Sequence, residues 1–402
     1  MNLLFVFSAL GALLFVLILL GHFQMARAIR RPTIPTPRLA NYPSVTVVRP
    51  IRGLDIGSRE NAEALLAQDY PGEQETLFIL DTESDPAYPA MVELVRARRG
   101  RGRAEVLIAG KPPPGRTGKL NAMMVGEARA KGELVAFSDS DTRPTAQLLR
   151  ILVEELVARP DAGDTFAPVV AQSDVTHAGD AAYELLVNGW YGGSVALAAG
   201  KSGELPFIMG QMMVFTRRAL AAVGGVQCAE GQFVDDMYIG QCVARAGFKN
   251  VMVPYPLRIV TGGLSPRQFI RVFRRWMLFS TGGLPASFVR PNWFRGVLYF
   301  TALGVSAVAL AKENWLGAVL PLSAVLLFVW SQLDLQVRFG GSRVAMKYLW
   351  VPLVLPLVAA LVTLSTKLNR NVDWRGRSYS LDASAKLTGE SAGPSGVPRG
   401  QR

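Results

Sequence analysis

Cysteine and charge are both scarce in this chain. The 402 residues include only two cysteines, Cys228 and Cys242, whose positions match no metal-binding pattern. A cytoplasmic domain would keep them reduced, which argues against a disulfide. Charged residues make up 18% of the chain, against about 25% in typical soluble domains. The deficit comes from apolar blocks near the two ends, whereas the middle has the composition of an ordinary soluble domain.

Nucleic-acid-binding motifs are also missing from the sequence. A net charge of +12 would suit such a partner, but neither zinc-finger spacing nor an aromatic RNA-binding motif is present. The basic clusters lie at the end of the first apolar block, at residues 96–103 and 271–275, and near the last apolar segments. Anionic lipid headgroups explain positive charge beside membrane segments better than nucleic acid does.

The first 26 residues contain no Lys, Arg, Asp or Glu. About 20 apolar residues are enough to cross a bilayer, and this block lacks the basic n-region and cleavage site of a signal peptide. Arg27, Arg30 and Arg31 follow directly, which favours a cytoplasmic location for what comes next. We therefore expect an uncleaved transmembrane anchor at residues 1–26 and a linker at 27–43.

Three further apolar stretches lie within residues 296–366. They run over residues 296–311, 315–333 and 348–366, with tryptophans suited to a membrane interface beside them. Buried helices of a soluble domain are the alternative, but three in a row beside an anchor favour the membrane. The first is short for a full span, and Pro352 and Pro356 interrupt the third. We expect two or three membrane segments, one of which is re-entrant or kinked.

The tail at residues 367–402 is basic at first, and residues 383–402 have a disordered composition. Four full spans starting outside would place the basic segment WRGRSY (374–379) outside too. That location conflicts with its charge unless one segment is re-entrant.

Strand and helix patterns alternate between residues 44 and 265. Strands are predicted at residues 44–50, 75–81, 104–110 and 133–141, and helices at 61–67, 91–99, 120–130 and after Pro144. This alternation predicts a parallel α/β sheet, in which ligands bind outside the carboxyl ends of the strands. Asp81 ends the second strand and Asp139 the fourth. Both carboxylates are therefore expected at the same edge of the sheet.

Two further acidic features extend this pattern. Asp139 and Asp141 form an Asp-x-Asp that, taken alone, is typical of a turn. Asp235 and Asp236 precede a predicted helix at 237–246, where helix capping and catalysis are equally compatible with the sequence. His177 lies in a loop with no visible partner, and we interpret it as incidental rather than as a cleft residue.

An amphipathic helix is predicted at residues 267–280, within an interface region at 266–290. Its apolar face comprises Phe269, Val272, Phe273 and Trp276, and its basic face Arg271, Arg274 and Arg275. Such a helix suits the membrane interface. In the alternative interpretation, Arg275 and Trp276 reach the diphosphate of a bound nucleotide.

The order Asp, Asp-x-Asp, Asp-Asp and Arg-Trp resembles that of membrane glycosyltransferases of family 2 type, with a GT-A fold. The closer resemblance is to the ceramide glucosyltransferases of family 21, and bacterial hopanoid-associated glycosyltransferases share much of the pattern. The resemblance covers residues 44–380 and rests on RPIRGLD (49–55), LAQDYPGEQETLFILD (66–81), GKLNAMMVGEARAKGELVAFSDSDTR (118–143), FIMGQMMVFTRRALAAVGG (207–225), FVDDMYIG (233–240), LDLQVRFGG (333–341) and WRGRSY (374–379). One departure is Val272, where the family has Gln or Arg four residues before Trp276.

The resemblance implies an inverting transfer from a UDP-sugar, glucose first, to the primary hydroxyl of a membrane lipid of ceramide type. It implies that Asp81 contacts the uridine and that Lys119 lies along the nucleotide. Asp139 and Asp141 are the expected ligands of Mg²⁺ or Mn²⁺. Asp236 is the expected general base, with Asp235 as the second choice.

Several alternatives stay open. The acceptor can be diacylglycerol or a hopanoid-pathway lipid, and the sugar galactose, glucuronate or an amino sugar. A processive polysaccharide synthase would carry more membrane segments and the full Gln-x-x-Arg-Trp motif. A non-catalytic scaffold would have lost the acidic residues. We expect a multi-pass membrane protein, of a bacterial inner membrane, with a cytoplasmic catalytic domain and no nucleic-acid partner.

Overall fold

The structure, a computed structural model, describes residues 2–98, 103–281, 284 and 286–391. The strands are β1 (Val45–Ile51), β2 (Gln74–Leu80), β3 (Arg103–Ile108), β4 (Leu134–Ser138), β5 (Thr142–Arg143), β6 (Ala162–Phe166), β7 (Val169–Asp174), β8 (Glu204–Leu205), β9 (Met212–Thr216), β10 (Lys249–Met252), β11 (Leu257–Gly262), β12 (Asn371–Trp374), β13 (Arg377–Leu381) and β14 (Leu387–Ser391).

The α-helices are α1 (Leu3–Ala28), α2 (Ser58–Leu66), α3 (Tyr88–Ala97), α4 (Gly118–Arg129), α5 (Leu148–Val157), α6 (Ala178–Glu184), α7 (Gly193–Ala199), α8 (Arg217–Val223), α9 (Asp235–Arg245), α10 (Pro266–Thr281), α11 (Ala286–Ala311), α12 (Trp315–Phe339) and α13 (Val351–Leu368). A π-helical turn, Leu185–Gly192, joins α6 to α7, and 3₁₀ turns occupy Val226–Ala229 and Met346–Tyr348.

The central sheet has eight strands in the order β3-β2-β1-β4-β9-β6-β10-β8. Strands β3, β2, β1 and β4 are mutually parallel, as are β6 and β10, whereas β9 runs antiparallel to both of its neighbours. This arrangement confirms the predicted α/β fold with a mostly parallel sheet. Apolar side chains fill both faces of the sheet, because strands covered by helices on two sides must be apolar on both.

A small second sheet, β5-β11-β7, adjoins the carboxyl edge of the central sheet, and a third, β12-β13-β14, is formed by the C-terminal segment. The disorder predicted from residue 383 onward is therefore wrong for Leu387–Ser391, which pairs with β13. In β13 the side chain of Tyr379 is buried, whereas its neighbours Ser378 and Ser380 are half-buried, so one face of the strand packs against protein. Residues 392–402 lie outside the described part of the chain.

Four helices in the described residues are long and apolar enough to cross a membrane: α1, α11, α12, and the 3₁₀ turn with α13. The expectation of a short first C-terminal segment is wrong, because α11 begins at Ala286 and has 26 residues. Pro352 lies in the first turn of α13, where no helical N–H bond is required, and the helix continues through Pro356. The prolines therefore do not interrupt it.

Helix α10 has the predicted amphipathic form, but its apolar face contacts protein. Phe269 is 3% exposed and Phe273 is fully buried, and both belong to the core beneath the central sheet. This apolar face therefore packs on protein rather than on lipid, and the location of residues 266–290 at the membrane interface stays a prediction. The sequence pattern is the same in either case, because lipid and a protein core select the same side chains.

Candidate active site

The loop after β4 is held in place by Arg49, a residue for which the sequence pattern gives no signal. Arg49 lies in β1 and is 1% exposed. Its guanidinium donates to the backbone oxygens of Asp139 and Thr142, both at 2.8 Å, and of Asn61 at 2.7 Å. Burial lowers the pKa of Arg49 to about 10, which leaves it protonated at neutral pH. A fixed cation thus sets the course of the Asp-x-Asp loop.

Lys119 lies between two of the predicted site carboxylates. Thr117 caps α4 by accepting from the Leu120 N–H at 3.1 Å, which places Lys119 in the first turn. The Lys119 Nζ is 2.8 Å from Asp139 Oδ1 and 3.8 Å from Asp235 Oδ1. Burial alone would lower the pKa of Lys119, but the charges of nearby carboxylates, chiefly Asp139 and Asp235, outweigh it and raise that pKa. The lysine is therefore a permanent cation within the acidic group.

Asp141 contributes an unsatisfied carboxylate oxygen. Its Oδ1 is buried and has no hydrogen-bond partner among the described residues. Burial, and then the charges of Asp139 and Asp55, raise the pKa of Asp141 to about 6. Within the described chain no three His, Cys, Asp or Glu residues are grouped so as to hold a metal by themselves. Magnesium commonly takes one or two protein carboxylates and completes its shell with substrate phosphate and water, and Asp139 with Asp141 fit that pattern.

Asp235 and Asp236 occupy the first turn of α9. Asp235 Oδ1 accepts from the Asp236 N–H at 2.8 Å, whereas its buried Oδ2 has no partner in the described structure. Asp236 Oδ2 accepts from the Gly210 N–H at 2.7 Å, and its Oδ1 from the Met237 N–H at 2.8 Å. Burial raises the pKa of Asp236 to about 6. The N-cap of α9 is Val234, which makes no side-chain cap bond, so neither aspartate is the capping residue. Both carboxylates bind backbone N–H groups and lie close enough to Lys119 to act on its charge.

The opposite wall of the site is formed by the C-terminal sheet. Asp81, which directly follows β2, accepts from Arg52 Nη1 at 2.6 Å and lies 3.2 Å from Arg377 Nη2. Arg375, in the turn between β12 and β13, pairs with Asp55 at 2.6 Å. The segment WRGRSY therefore lies on the same side as the predicted site carboxylates. Sequence reasoning missed both arginines as site residues, although their segment is one of those that carry the family resemblance.

Gly118 explains how the C-terminal sheet approaches so closely. A Cβ atom at this position would lie 2.3 Å from Arg377 Nη1 and 3.6 Å from Asp81 Oδ2. The absence of a side chain at Gly118 thus makes room for the Arg377 guanidinium beside Asp81.

Arg275 and Trp276 lie at the end of the site nearest the long helices. The Arg275 guanidinium is 5.9 Å from the ring centre of Trp374, and its buried Nε has no hydrogen-bond partner in the residues described. Burial lowers the pKa of Arg275. Trp276 makes edge-to-face contacts with Tyr183 and Tyr191, at ring distances of 5.9 and 5.4 Å. The arginine thus adjoins the polar site, and the tryptophan belongs to an aromatic wall.

His177 lies outside this group of carboxylates. Its N–H donates to Asp180 Oδ2 at 2.9 Å, and the residue caps α6. The exposed ring lines an open cavity of about 1170 Å³ that Arg143, Arg258 and Arg267 also line. The cap gives this histidine a structural role and no contact with the acidic cluster.

The assembled site can hold a cation and a phosphate group at one edge of the sheet. The two carboxylates of the Asp-x-Asp have the chemistry that an oxygen-seeking cation prefers, and among the described residues buried N–H groups of Arg275 and Arg377 have no hydrogen-bond partner. A further pair of carboxylates lies across Lys119. This combination suits the transfer of a group from a diphosphate.

Comparison with solved structures supports the fold. The chain is similar to the mannosyltransferase PcManGT from Pyrobaculum calidifontis, solved in complex with GDP-Man and Mn²⁺, at 20% identity and a TM-score of 0.55. The alignment covers 91% of this chain and 100% of that protein. The catalytic domain accordingly has the GT-A-type glycosyltransferase fold that the sequence analysis expected.

Sequence comparisons point to one group of enzymes. The chain is 24% identical over 247 residues to ceramide glucosyltransferase 3 of Caenorhabditis elegans, covering 61% of this chain and 52% of the relative. It is 23% identical over 276 residues to ceramide glucosyltransferase 1 of the same organism, covering 68% and 57%. The chain thus aligns with little more than half the length of these curated relatives. Residues 7–387 match the family model described as glycosyl transferase family 21. The chain therefore belongs to glycosyl transferase family 21.

Proposed function

We propose that the protein transfers a sugar, glucose first, from a UDP-sugar to the primary hydroxyl of a ceramide-type membrane lipid, with inversion at the anomeric carbon. The observation that carries this proposal is the grouping of Asp139, Asp235 and Asp236 around Lys119, with Asp141 following in the same loop. The relatives named as ceramide glucosyltransferases support the sugar and the acceptor.

The donor would lie along the carboxyl edge of the sheet. Asp81 would accept hydrogen bonds from the uridine, beside Arg377 Nη1, which has no partner among the described residues. Asp139 and Asp141 would hold Mg²⁺ or Mn²⁺, and the solved complex of the similar mannosyltransferase contains Mn²⁺. When bound, the cation offsets the charge that develops on the diphosphate leaving group. The unpartnered Nε of Arg275 is a second donor for that charge.

The acceptor would come from the side of the long helices. An aromatic wall, made of Tyr183, Tyr191, Trp276, Phe207 and Phe288, extends from the start of α11 to the carboxylates. The charge of Asp141 acts on Tyr183 and that of Asp236 on Tyr191, and burial, followed by these charges, raises the pKa of both tyrosines. An apolar wall that ends at acidic groups suits a lipid whose polar head must reach a buried base.

Asp236 would take the proton of the acceptor hydroxyl. As the acceptor oxygen forms its bond to the anomeric carbon, the bond from that carbon to the diphosphate breaks, and UDP leaves with the electron pair. The Gly210 and Met237 N–H groups fix both oxygens of Asp236 and so orient the carboxylate. One displacement by one base inverts the anomeric centre.

The test is a matrix of donors and acceptors with the full chain in lipid nanodiscs. UDP-glucose, UDP-galactose, UDP-glucuronate, UDP-N-acetylglucosamine and GDP-mannose would each be offered with ceramide or diacylglycerol, with and without EDTA. Mass spectrometry of the lipid fraction should show one hexose added to ceramide from UDP-glucose, only in the presence of metal. A product with many sugars would favour a processive synthase, and a product only from GDP-mannose would refute the UDP assignment.

A further inference from the structure

Among the described residues, three of the four long apolar helices pack into one bundle. The fourth, α13, touches that bundle where Tyr299 Oη of α11 donates to the backbone oxygen of Leu353 at 2.6 Å, but it packs mainly against α10 and α6 of the catalytic domain. Helices α1, α11 and α12 share an apolar core that includes Leu14, Ile18, Tyr299 and Phe328. His22 Nδ1 of α1 lies 3.1 Å from Ser331 Oγ of α12. Helices α1 and α12 also approach closely at Gly11, where a Cβ atom would lie 2.4 Å from Pro321. These three helices are mutually supported along their length.

Helix α13 is instead attached to the catalytic domain at both of its ends. Just before it, Tyr348 Oη donates to the backbone oxygen of Thr176, between β7 and α6, at 2.6 Å. Just after it, Arg274 Nη1 of α10 donates to the backbone oxygen of Asn371 at 2.9 Å. Between these points Thr363 Oγ1 lies 3.8 Å from Met277 Sδ of α10.

These attachments are incompatible with a crossing. A helix of 18 residues is about 27 Å long, close to the thickness of the hydrocarbon core. If α13 crossed, Thr176 and Asn371 would lie on opposite faces of the bilayer. Thr176 is part of the α/β domain, and Asn371 is bonded to α10, whose apolar face packs on the same domain. A single folded domain cannot lie on both sides of the bilayer.

The outer face of α13 carries a row of exposed leucines. Their exposed fractions are 41% for Leu353, 40% for Leu357, 68% for Leu361, 55% for Leu364 and 81% for Leu368. Spacings of four, four, three and four residues put them on one stripe. The opposite face, which includes Val351, Leu355 and Val362, belongs to the core of the catalytic domain. An apolar stripe of this size requires a covering partner.

Charge near the two ends of α13 identifies that partner as a lipid surface. Lys347 precedes the helix, Lys367 lies in its last turn and Arg370 follows it. An apolar face with cations beside it fits the boundary between acyl chains and anionic headgroups. A second protein copy would not require a basic residue at each end.

We propose that α13 lies in the plane of the membrane, with its leucine stripe in the headgroup–acyl boundary, and that α1, α11 and α12 alone cross. The chain leaves the catalytic side through α11 and returns to it through α12, so the C-terminal sheet lies on the catalytic side. That is where Arg375 contacts Asp55 and Arg377 contacts Asp81. The arrangement removes the charge conflict that four crossings would create.

Single-cysteine labelling of the full chain tests the topology. In a Cys228→Ala, Cys242→Ala background, Glu83→Cys would report the catalytic domain, Ser384→Cys the C-terminal sheet and Lys312→Cys the link between α11 and α12. With a membrane-impermeant maleimide on intact cells, Lys312→Cys should react at once. The other two should react only after permeabilisation. Reaction of Ser384→Cys and Glu83→Cys from opposite sides would overturn the proposal.

Depth-dependent quenching tests the orientation. A bimane probe on Leu357→Cys or Leu364→Cys should be quenched equally by lipids brominated close to the headgroup, since an in-plane helix keeps one depth. Val362→Cys, on the buried face, is the matched control and should show little quenching. Unequal depths for the two probes, or no quenching because another protein covers the stripe, would refute the inference. Neither measurement needs a sugar donor, so its outcome is independent of the proposed reaction.

Discussion

Replacing Asp236 by Asn tests the assignment of the general base. The substitution keeps the size of the side chain and removes its ability to take a proton. Loss of a positioned base typically lowers turnover by about 10²–10⁴-fold, which corresponds to about 2.7–5.4 kcal/mol of barrier at about 1.36 kcal/mol per tenfold. We therefore expect kcat of Asp236→Asn to fall by about 10²–10⁴-fold.

The hydrogen bonds of Asp236 set the structural cost of the same change. Its two oxygens accept from the Gly210 and Met237 N–H groups. An Asn oxygen can keep one of these bonds, but its amide nitrogen then faces the other donor. An unsatisfied buried N–H costs about 1–3 kcal/mol, so part of the stability is lost along with the base.

Asp164→Asn is the matched control, because it also removes a buried carboxylate, but one whose oxygens make no hydrogen bonds among the described residues. Both oxygens of Asp164 are buried without partners in the described chain, and burial raises its pKa well above the usual range. Asp164 lies in β6, outside the group of carboxylates around Lys119, so turnover of Asp164→Asn should be unchanged. The assay combines glycolipid formation with calorimetric titration of UDP in the presence of Mn²⁺. If Asp236→Asn binds UDP normally and keeps most of its turnover, Asp236 is not the base, and Asp235 becomes the candidate.

Three further predictions follow from the same site. Burial raises the pKa of Asp236 to about 6, and a general base must be deprotonated to act. We therefore expect kcat/KM of the native protein to fall as the pH drops through about 6 in a pH–rate profile. A flat profile down to about pH 5 would contradict the role of Asp236. Asp141→Asn should raise the Mg²⁺ concentration that gives half-maximal activity by at least about 10-fold, because even residues that only hydrogen-bond to a metal ligand typically cost that much affinity. An unchanged metal titration would show that Asp141 is not a metal ligand. Gly118→Ala should displace Arg377 and raise KM for the donor more than it lowers kcat. Gly304→Ala is the control, because a Cβ atom at Gly304 meets no atom within 4 Å. Equal KM values for the two variants would refute the close approach of Arg377 to Gly118.

The parts of the fold that were predictable are those with a local signature. The β-branched runs at Val45–Ile51 and Gln74–Leu80 and the alternation with helices gave the parallel sheet. The rule that parallel strands end at one edge then placed Asp81 and Asp139 together. Lys119 came from the family resemblance, and the structure places its Nζ 2.8 Å from Asp139.

The parts that were not predictable depend on distant contacts. Arg375 donates to the backbone oxygen of Arg52, a residue 323 positions earlier, and no local pattern reports such a contact. Arg49 is a charged residue inside an apolar strand, and only the surrounding carbonyl groups show why it is there. Helices α10 and α13 both have apolar faces suited to lipid, yet the apolar face of α10 is covered by protein. Hydropathy records how apolar a face is and cannot tell which partner covers it.

The contact between the C-terminal sheet and Asp81 also has a consequence for biosynthesis. Arg375 and Arg377 leave the ribosome after α11, α12 and α13, whereas Asp55 and Asp81 leave it before these helices. Folding of the α/β domain can begin early, because domains generally fold as units during synthesis. The proposed donor site is closed only when β12, β13 and β14 dock, and these strands are made after α11 and α12. A nascent chain, or one truncated before these strands, would therefore have the carboxylates but lack Arg375 and Arg377, and the proposed sugar transfer would begin only once the C-terminal sheet has docked.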